Sequence, residues 1–229
     1  MTLTRAKGTR DFFYEEELLR QDVLKTLMQV FQQYGYNALE TPVLEMYETL
    51  SNKYGGGAEI LKETFKLKDQ GKRDLGLRYD FTVPFARFIA DNPQLKMPVK
   101  RYQIGPIFRD GPIKIGRYRE FTQCDVDVVG IKDVEADAEM LMVADRVFKK
   151  LKLDVVIKVN NRKILDALMK KLGVPQAQWE GVMLSIDKLD KIGIEGVREE
   201  LKQKGVKDVI TQKLFEILLR EGKNQEKLQ

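Results

Sequence analysis

Arg117-Tyr-Arg-Glu-Phe-Thr-Gln-Cys-Asp-Val-Asp-Val-Val129 is the stretch that decides the fold and holds most of the chemistry of this sequence. Its alternating pattern predicts a β-strand, in which successive side chains point to opposite faces. One face is polar except for a single aromatic residue and carries Arg117, Arg119, Phe121, Gln123, Asp125 and Asp127. The other face becomes apolar in its second half and carries Tyr118, Glu120, Thr122, Cys124, Val126 and Val128.

The polar face of this strand has two interpretations. A phenylalanine between arginine and glutamine is unusual on a strand face that contacts only solvent. The face therefore fits a ligand-binding surface. An exposed antiparallel strand with cross-strand ion pairs fits the pattern as well. The same alternation in Leu77-Arg-Tyr-Asp-Phe-Thr82 places Arg78, Asp80 and Thr82 on one face. Two such strands side by side would form a floor with charges of both signs, suited to a zwitterion joined to a phosphate.

The composition narrows the chemistry. The chain has 229 residues, no histidine and one cysteine, so an imidazole base, a Ser-His-Asp triad, a disulfide within the chain and a cysteine-rich zinc site are excluded. A single cysteine suggests a reducing, cytosolic setting. The N-terminus has no signal peptide pattern, and no apolar run is long enough to span a bilayer. Both features favour a cytoplasmic protein with no membrane partner.

The charge is distributed unevenly along the chain. Between Lys62 and Arg119 there are 14 basic and 6 acidic residues, whereas the whole chain has a formal net charge of +5. A basic region of this kind favours a polyanion such as nucleic acid or nucleotide phosphate. A solvated basic face explains the same count.

Hydrophobic periodicity predicts an α+β fold, an antiparallel sheet flanked by helices and followed by a helical segment. A flexible glycine-rich loop is expected at Lys53–Ala58, and Asp133 is expected to cap a helix. We predict one domain over 1–160 and a helical region over 161–229. The predicted helices are Glu15–Tyr34, Val83–Ala90, one following Asp133, and four after residue 161, the last three at Gln178–Leu189, Ile194–Lys204 and Asp208–Arg220. An extended segment broken by Pro42 is predicted at Tyr36–Val43. The predicted strands are Phe65–Lys68, Asp74–Tyr79, Val99–Phe108, Arg117–Val129 and Leu153–Val159.

Several stretches together resemble one known family. Phe108-Arg109, followed by Gly116-Arg-Tyr-Arg-Glu-Phe-Thr-Gln123, is similar to motif 2 of the class II aminoacyl-tRNA synthetases, and most similar to the histidyl family. The resemblance extends over essentially the whole chain. It is supported by Lys7-Gly-Thr-Arg-Asp11, Glu40-Thr-Pro-Val43, Leu77-Arg-Tyr-Asp-Phe-Thr-Val-Pro84, Gln123-Cys-Asp-Val-Asp127, Val159-Asn-Asn-Arg162 and Ser185-Ile-Asp-Lys-Leu-Asp190.

The resemblance implies an activity and its substrates. Histidine would be activated by ATP, with Mg²⁺, to histidyl-adenylate and then transferred to the 3′ end of tRNA(His). Arg109 and Gln123 would be catalytic, with no metal ligand among the protein side chains. ATP would be bound by Arg109, Arg117 and Phe121; histidine by Asp80, Thr82, Gln123 and Asp127; and the tRNA acceptor end would face Arg117 and Arg119.

Pro42 matches the motif 1 proline, so the resemblance also implies a homodimer through the motif 1 region. The proline alone could equally mark an edge strand. Asp80 and Arg109 could likewise pair with each other rather than bind a ligand.

The sequence departs from the family pattern in two places. No motif 3 and no anticodon-binding domain can be found before Gln229, so we expect an incomplete helical insertion and weak or absent activity of this chain alone. Many relatives have an acidic residue two positions after the motif 2 arginine, where this chain has Gly111. The group that reads the adenine amino group is therefore left open.

Two other functions fit parts of the pattern. A synthetase-like regulatory subunit of ATP phosphoribosyltransferase would sense histidine without activating it, although such a sensor need not retain Arg109, Phe121 and Gln123. A fragment that only binds RNA or a protein partner would use the basic stretch without binding histidine or ATP.

Overall fold

The structure is a computed structural model that describes residues 3–52, 61–220 and 222. The chain divides into two compact units, Met1–Ile157 and Lys158–Gln229. The predicted glycine-rich loop at Lys53–Ala58 lies outside the described residues. Among the described residues, no helix combines the length and the apolar character that crossing a membrane requires.

The first unit is a mixture of helices and short strands, as the sequence predicted. Its described helices are α1 (Glu15–Gln33), α2 (Tyr47–Asn52), α3 (Thr82–Asp91) and α4 (Val134–Lys150). Its described strands are β1 (Asn37–Ala38), β2 (Leu44–Met46), β3 (Lys66–Lys68), β4 (Asp74–Leu77), β5 (Val99–Phe108) and β6 (Glu120–Val129). The predicted helices α1 and α3 and the predicted strand β3 are confirmed within one residue at each end. Strand β4 begins where predicted but ends two residues early.

Two small sheets organise this unit. One has the order β1-β5-β6, and the other has the order β2-β4-β3 with antiparallel pairing throughout. In the first sheet, β5 and β6 form a ten-residue antiparallel ribbon from the pair Val99–Val129 to the pair Phe108–Glu120. Only the two-residue pairing of β1 with β5 is parallel. The antiparallel expectation therefore holds for the ribbon that carries the proposed chemistry.

One face of the ribbon packs against α1 and α4, and we call it the helix face. Val30 and Phe31 of α1, Tyr102 of β5, and Val143 and Val147 of α4 form its buried core. Val126 and Val128 pack against this core from β6, as the alternation in the sequence predicted. The apolar positions of α4 recur at helical spacing, so burying them fixes this helix across the strands.

Helix α4 begins where it was expected, but not for the predicted reason. Asp133 occupies the N-cap position with extended backbone angles, yet its side chain makes no capping hydrogen bond. By contrast, the Asn161 side chain accepts a hydrogen bond of 2.9 Å from the Lys163 amide at the start of the next helix. The cap predicted at Asp133 is therefore wrong in its mechanism, although the helix boundary is right.

The strand predicted at Leu153–Val159 does not form. These residues have no regular secondary structure, and Val156 and Val159 are 88% and 67% exposed. Branched side chains favour a strand only where a neighbouring strand supplies hydrogen bonds and packing. No described strand pairs with this segment, so its composition alone does not make it a strand.

The second unit is helical, as predicted, and contains no strand among its described residues. Its α-helices are α5 (Arg162–Lys171), α6 (Trp179–Ile186), α7 (Leu189–Gln203) and α8 (Asp208–Leu218), with a 3₁₀ turn at Gln176–Gln178. Gly193 interrupts α7 with a φ of 69°, so regular helix resumes at the predicted start near Ile194. Met169, Val182, Leu201 and Leu214 lie in its buried core.

Candidate active site

The other face of the β5–β6 ribbon carries most of the predicted site residues, and we call it the site face. Residues directly opposite each other on antiparallel strands point to the same side of a sheet. The register therefore defines four rungs along this face: Arg101 with Asp127, Gln103 with Asp125, Gly105 with Gln123, and Ile107 with Phe121. Acidic groups and a buried arginine lie at one end, and an aromatic ring lies towards the other.

Strand β6 begins later than predicted, which changes the position of two arginines. The strand starts at Glu120, so Arg117 and Arg119 lie in the turn between β5 and β6 rather than on the ribbon. A hydrogen bond of 2.8 Å from the Arg109 amide to the Arg119 carbonyl and an isolated bridge between Lys114 and Arg117 continue the pairing into this turn. The predicted face is therefore continuous from Phe121 to Asp127 and does not include the two arginines.

The second predicted polar strand is wrong beyond Leu77. Strand β4 ends there, and the Arg78 side chain is fully buried instead of facing a ligand. Its guanidinium donates to Glu40 Oε1 at 2.9 Å and to the Pro106 carbonyl at 3.0 Å. Arg78 thereby ties the segment before α3 to the edge of the ribbon. A buried cation needs such partners, and period-two alternation could not reveal them.

Asp80 and Thr82 lie at the start of α3 and not on a strand. Asp80 Oδ1 accepts a hydrogen bond of 3.0 Å from the Val83 amide, and Thr82 is the first residue of the helix. Pro84 is tolerated in the first turn because its missing N–H would have no helical partner there. The charge of Asp80 also acts on Arg101 and Asp125, which places its carboxylate at the acidic end of the site face.

The acidic end of the site face is built around Arg101, Asp125 and Asp127. Arg101 forms an ion pair with Asp127, and its side chain is only 2% exposed. Gln123 Nε2 donates to both carboxylate oxygens of Asp125 at 3.0 Å. Burial raises the pKa of Asp125, while the Gln123 hydrogen bond and the Arg101 charge oppose that shift. The result is a half-buried acidic cluster beside the buried guanidinium of Arg101.

The other end of the site face brings Arg109 and Phe121 together. Arg109 follows β5 directly, and its guanidinium carbon lies 5.4 Å from the centroid of the Phe121 ring. Its Nε donates to the Tyr79 carbonyl at 3.1 Å, which fixes the side chain against the segment before α3. A planar guanidinium beside a partly buried aromatic ring suits a phosphate joined to a purine base.

The turn between β5 and β6 is held by partners that the sequence did not suggest. Arg117 donates to both carboxylate oxygens of Glu63 at 2.9 and 3.0 Å, and the Glu63 carbonyl accepts from the Asp110 amide at 2.6 Å. Arg119 pairs with Asp110 at 3.0 Å, and its amide donates to the Gly8 carbonyl at 2.8 Å. Several cations of the basic stretch are therefore already paired, which weakens its interpretation as a free basic surface.

Sequence reasoning missed Glu63 and Arg101 as parts of this site. Glu63 is distant in sequence from Arg117 and carries no periodic signal. Arg101 could have been found once the hairpin register was assumed, because opposite charges favour directly facing positions on neighbouring strands. In contrast, Gln123, Asp127 and Phe121 were identified because they share the period-two face of β6.

The path of the chain through the site defines the class of protein. Phe108-Arg109 ends one strand, the turn carries Arg117 and Arg119, and Phe121 to Asp127 lie on the returning antiparallel strand. This is the strand–turn–strand arrangement of motif 2 in the class II aminoacyl-tRNA synthetases. The fold and the site together therefore belong to that class.

Comparison with known proteins identifies the family within that class. The family model described as histidyl-tRNA synthetase matches residues 8–229. Histidine–tRNA ligase 1 of Bacillus anthracis is 50% identical over 208 residues, which cover 91% of this chain and 49% of that protein. The chain belongs to the histidyl-tRNA synthetase family.

Solved structures support the same fold. The histidyl-tRNA synthetase from Nostoc sp. PCC 7120 superimposes with a TM-score of 0.86 at 30% identity, covering 99% of this chain and 51% of that one. An ATP phosphoribosyltransferase regulatory subunit/histidyl-tRNA synthetase from Bacillus halodurans C gives a TM-score of 0.79 at 23% identity, covering 94% of this chain and 55% of that one. The second likeness concerns the fold alone. The chain spans about half the length of the curated relatives it matches.

Proposed function

We propose that this chain provides the histidine site and the adenine and α-phosphate part of the ATP site of a histidine–tRNA ligase. One observation supports the proposal above all others. A single ribbon face holds the acidic group around Asp127 at one end and the Arg109–Phe121 pair at the other. An amino acid and a nucleotide bound at these two ends would meet between them, near Gln123.

The reaction proposed for the full enzyme is compatible with a chain that contains no histidine. A carboxylate oxygen of the substrate forms a bond to the α-phosphorus of ATP, and the bond from that phosphorus to pyrophosphate breaks. The carboxylate is already ionised at neutral pH, so the protein need not supply a base. Its contribution is to position the reactants and to stabilise negative charge on the phosphate.

Each predicted residue has a role in this proposal. Asp80 and Asp127, with Thr82, bind the α-ammonium group of histidine, and Gln123 binds near its carboxylate. Phe121 stacks on the adenine and Arg109 holds the α-phosphate, with Arg117 also facing ATP. In the second step a terminal ribose hydroxyl of tRNA attacks the acyl carbon and AMP leaves.

Magnesium has a limited place in the proposal. Among the described residues, no three histidine, cysteine, aspartate or glutamate side chains form a group that could hold a metal ion. Mg²⁺ binds proteins mainly through a few carboxylates together with substrate phosphates. We therefore assign it to the phosphates of bound ATP.

The remaining partners are proposals of the same kind. Arg117 and Arg119 face the acceptor end of tRNA(His), because their ion pairs are partly exposed and a nucleic acid phosphate can replace the carboxylates. A cytoplasmic location and a homodimer through the motif 1 region around Pro42 complete the proposal. The domain division at residue 160 also stays a prediction.

Calorimetric titration of this chain with ATP and with histidine tests the proposal. We expect both ligands to bind and Arg109→Ala to weaken ATP binding by about 10- to 100-fold, because a charge-assisted hydrogen bond to phosphate is lost. Arg73→Ala, which removes an arginine paired with Asp69 in the exposed β3–β4 hairpin, is the matched control. Wild-type protein that binds neither ligand would contradict the proposal.

The same titration separates the two alternatives. A histidine-sensing regulatory subunit would bind histidine, while its response to ATP would not depend on Arg109. A fragment that only binds RNA would show salt-dependent tRNA binding without histidine or ATP binding.

A further inference from the structure

Arg101 is a buried cation that the proposed chemistry does not use. It projects from β5 onto the site face, opposite Asp127, and its side chain is 2% exposed. Besides the ion pair with Asp127, it donates to the Phe81 carbonyl at 3.4 Å and lies 4.6 Å from the centroid of the Phe85 ring. Its Nε and Nη1 atoms are buried and have no hydrogen-bond partner among the described residues.

A purely structural role does not explain this ion pair well, because burying its charges is energetically unfavourable. Burying a charge costs several kcal/mol in effective terms, and the cost is recovered only when geometry is good and the remaining donors are satisfied. Here two donors are left over, and burial lowers the Arg101 pKa despite the opposing charges of Asp127, Asp125 and Asp80. A well-packed apolar residue would stabilise the fold at least as well. Arg101 is therefore better explained by its effect on its acidic neighbours.

The charges around Arg101 are unbalanced in a way that favours a cationic ligand. Three carboxylates, those of Asp80, Asp125 and Asp127, act on this one guanidinium. With all three ionised, the group retains a net negative charge, and a half-buried site of one sign attracts the opposite sign. Without the guanidinium, the three acids would repel one another and favour protonation, which would remove their attraction for an ammonium group.

Asp127 and Arg101 differ in how accessible they are to a ligand. Asp127 is 32% exposed, but its Oδ2 atom is buried and lies against the Arg101 guanidinium. The exposure of this carboxylate therefore comes from its other atoms, while Arg101 itself is out of reach. Any influence of Arg101 on a bound molecule must act through its acidic neighbours, chiefly Asp127, with which it forms an ion pair.

We propose that Arg101 is a positioning residue for the substrate's α-ammonium group. It holds Oδ2 of Asp127 inside the fold, directs the other carboxylate oxygen outward, and places a positive charge close to Asp125. This inference rests on the proposed function, because it requires a histidine site at the acidic end of the ribbon. It predicts that the loss of Arg101 affects recognition of the ammonium group and not of the rest of the substrate.

Two ligands that differ only in this group provide the test. L-Histidine and 3-(imidazol-4-yl)propionate, which lacks the α-amino group, are titrated against the wild type, Arg101→Met and Arg101→Lys by ligand-observed NMR. We expect Arg101→Met to weaken histidine binding at least tenfold and to change propionate binding less than twofold. Arg101→Lys, which retains a charge but not the planar fork, should fall between.

Arg87→Met is the matched control. Arg87 also forms a mostly buried ion pair, with Glu45 at 2.9 Å, but that pair joins α3 to β2. Arg87→Met should leave the ratio of the histidine affinity to the 3-(imidazol-4-yl)propionate affinity unchanged. Equal weakening of both ligands in Arg101→Met would indicate a general structural role and overturn the inference, as would unchanged histidine binding.

A measurement without ligand separates this inference from the proposed function. Carboxyl-carbon NMR follows the titration of Asp125, on which the charges of Arg101, Asp127 and Asp80 act. Arg101→Met should raise the pKa of Asp125 further, because the Arg101 charge opposes the effect of burial there, and Arg87→Met should not. An unchanged Asp125 titration contradicts the inference even if histidine binds, whereas failure of wild-type protein to bind histidine contradicts the proposed function and removes the basis of the inference with it.

Discussion

The two faces of the β5–β6 ribbon bury polar groups in opposite ways. On the helix face, the Tyr36 hydroxyl donates to Glu139 at 2.6 Å, and Lys100 Nζ contacts Glu139 at 2.7 Å and the Tyr34 carbonyl at 2.6 Å. On the site face, Arg101 keeps two unsatisfied donors, and Asp125 is desolvated. One network is complete within the protein, and the other is incomplete among the described residues.

The ionisation of one acid on each face shows the same contrast. Hydrogen bonds from Lys100 and then Tyr36 lower the pKa of Glu139, so its charged form is stabilised by the fold. Burial raises the pKa of Asp125, so the fold disfavours its charged form. A satisfied network contributes stability, whereas an unsatisfied one is typical of a site that waits for a ligand. The ribbon is thus a scaffold on one side and a binding surface on the other.

The largest effect should come from the core of the helix face. Tyr102 is 6% exposed, lies 5.6 Å from the Phe31 ring and accepts a hydrogen bond from Gln32. Tyr102→Ala should lower the free energy of unfolding by about 3–5 kcal/mol, because it leaves a large cavity. Urea denaturation checks this.

Met142→Ala is the control for that measurement. Met142 lies on α4 with 57% of its surface exposed, so its truncation should change stability by less than about 0.5 kcal/mol. The ratio of histidine to imidazolylpropionate binding should stay constant in the Tyr102→Ala protein that remains folded. A changed ratio would show that the two faces are not independent.

The pH dependence of stability should have opposite signs on the two faces. Glu139 has a lowered pKa in the fold, so its contribution is present above its ordinary pKa of 4.5 and disappears as the pH falls through the lower folded value. Asp125 has a raised pKa, so its contribution is present below its ordinary pKa of 3.8 and is lost as the pH rises through the higher folded value.

Replacing each of these two acids by its amide tests the opposite signs of their contributions to stability. At neutral pH, Glu139→Gln should destabilise the protein and Asp125→Asn should stabilise it, each by on the order of 1 kcal/mol. Urea denaturation at several pH values between 3 and 7 measures both slopes. If both variants changed the stability in the same direction, the distinction between the two faces would be lost.

The smallest effect should come from the turn beyond the site face. The Arg117–Glu63 pair is partly exposed, so Glu63→Gln should change stability by less than about 1 kcal/mol. A Cβ on residue 111 would lie 2.7 Å from Glu63 Cδ, and Gly111→Ala should push this flexible carboxylate away from Arg117. Both variants should speed tryptic cleavage in the turn, and the double variant should add little to either.

Asp69→Asn, which removes an exposed ion pair in the β3–β4 hairpin, should leave cleavage of this turn unchanged. Fully additive effects of the Glu63 and Gly111 variants would mean that Gly111 is required for another reason.

Local patterns predicted the elements that are stabilised locally or by a simple buried face. The apolar positions of α1 and α4 and the alternation of β6 gave the ribbon, its helix face and Phe121, Gln123 and Asp127 on its site face. The failures depend on long-range partners. Arg78 was placed on a strand face because no local signal shows that Glu40 and Pro106 surround it. Leu153–Val159 was predicted as a strand because sequence cannot show whether a partner strand is adjacent.

That unpaired segment affects how the chain behaves in concentrated solution. Val155, Val156, Ile157 and Val159 are branched, apolar and at least 40% exposed, the composition of segments that pair edge to edge between molecules. Asp154 and Lys158 interrupt the run with charges, the means by which natural sequences limit such pairing. Self-association of this chain should therefore begin at this segment, with these two charges as the main barrier against aggregation.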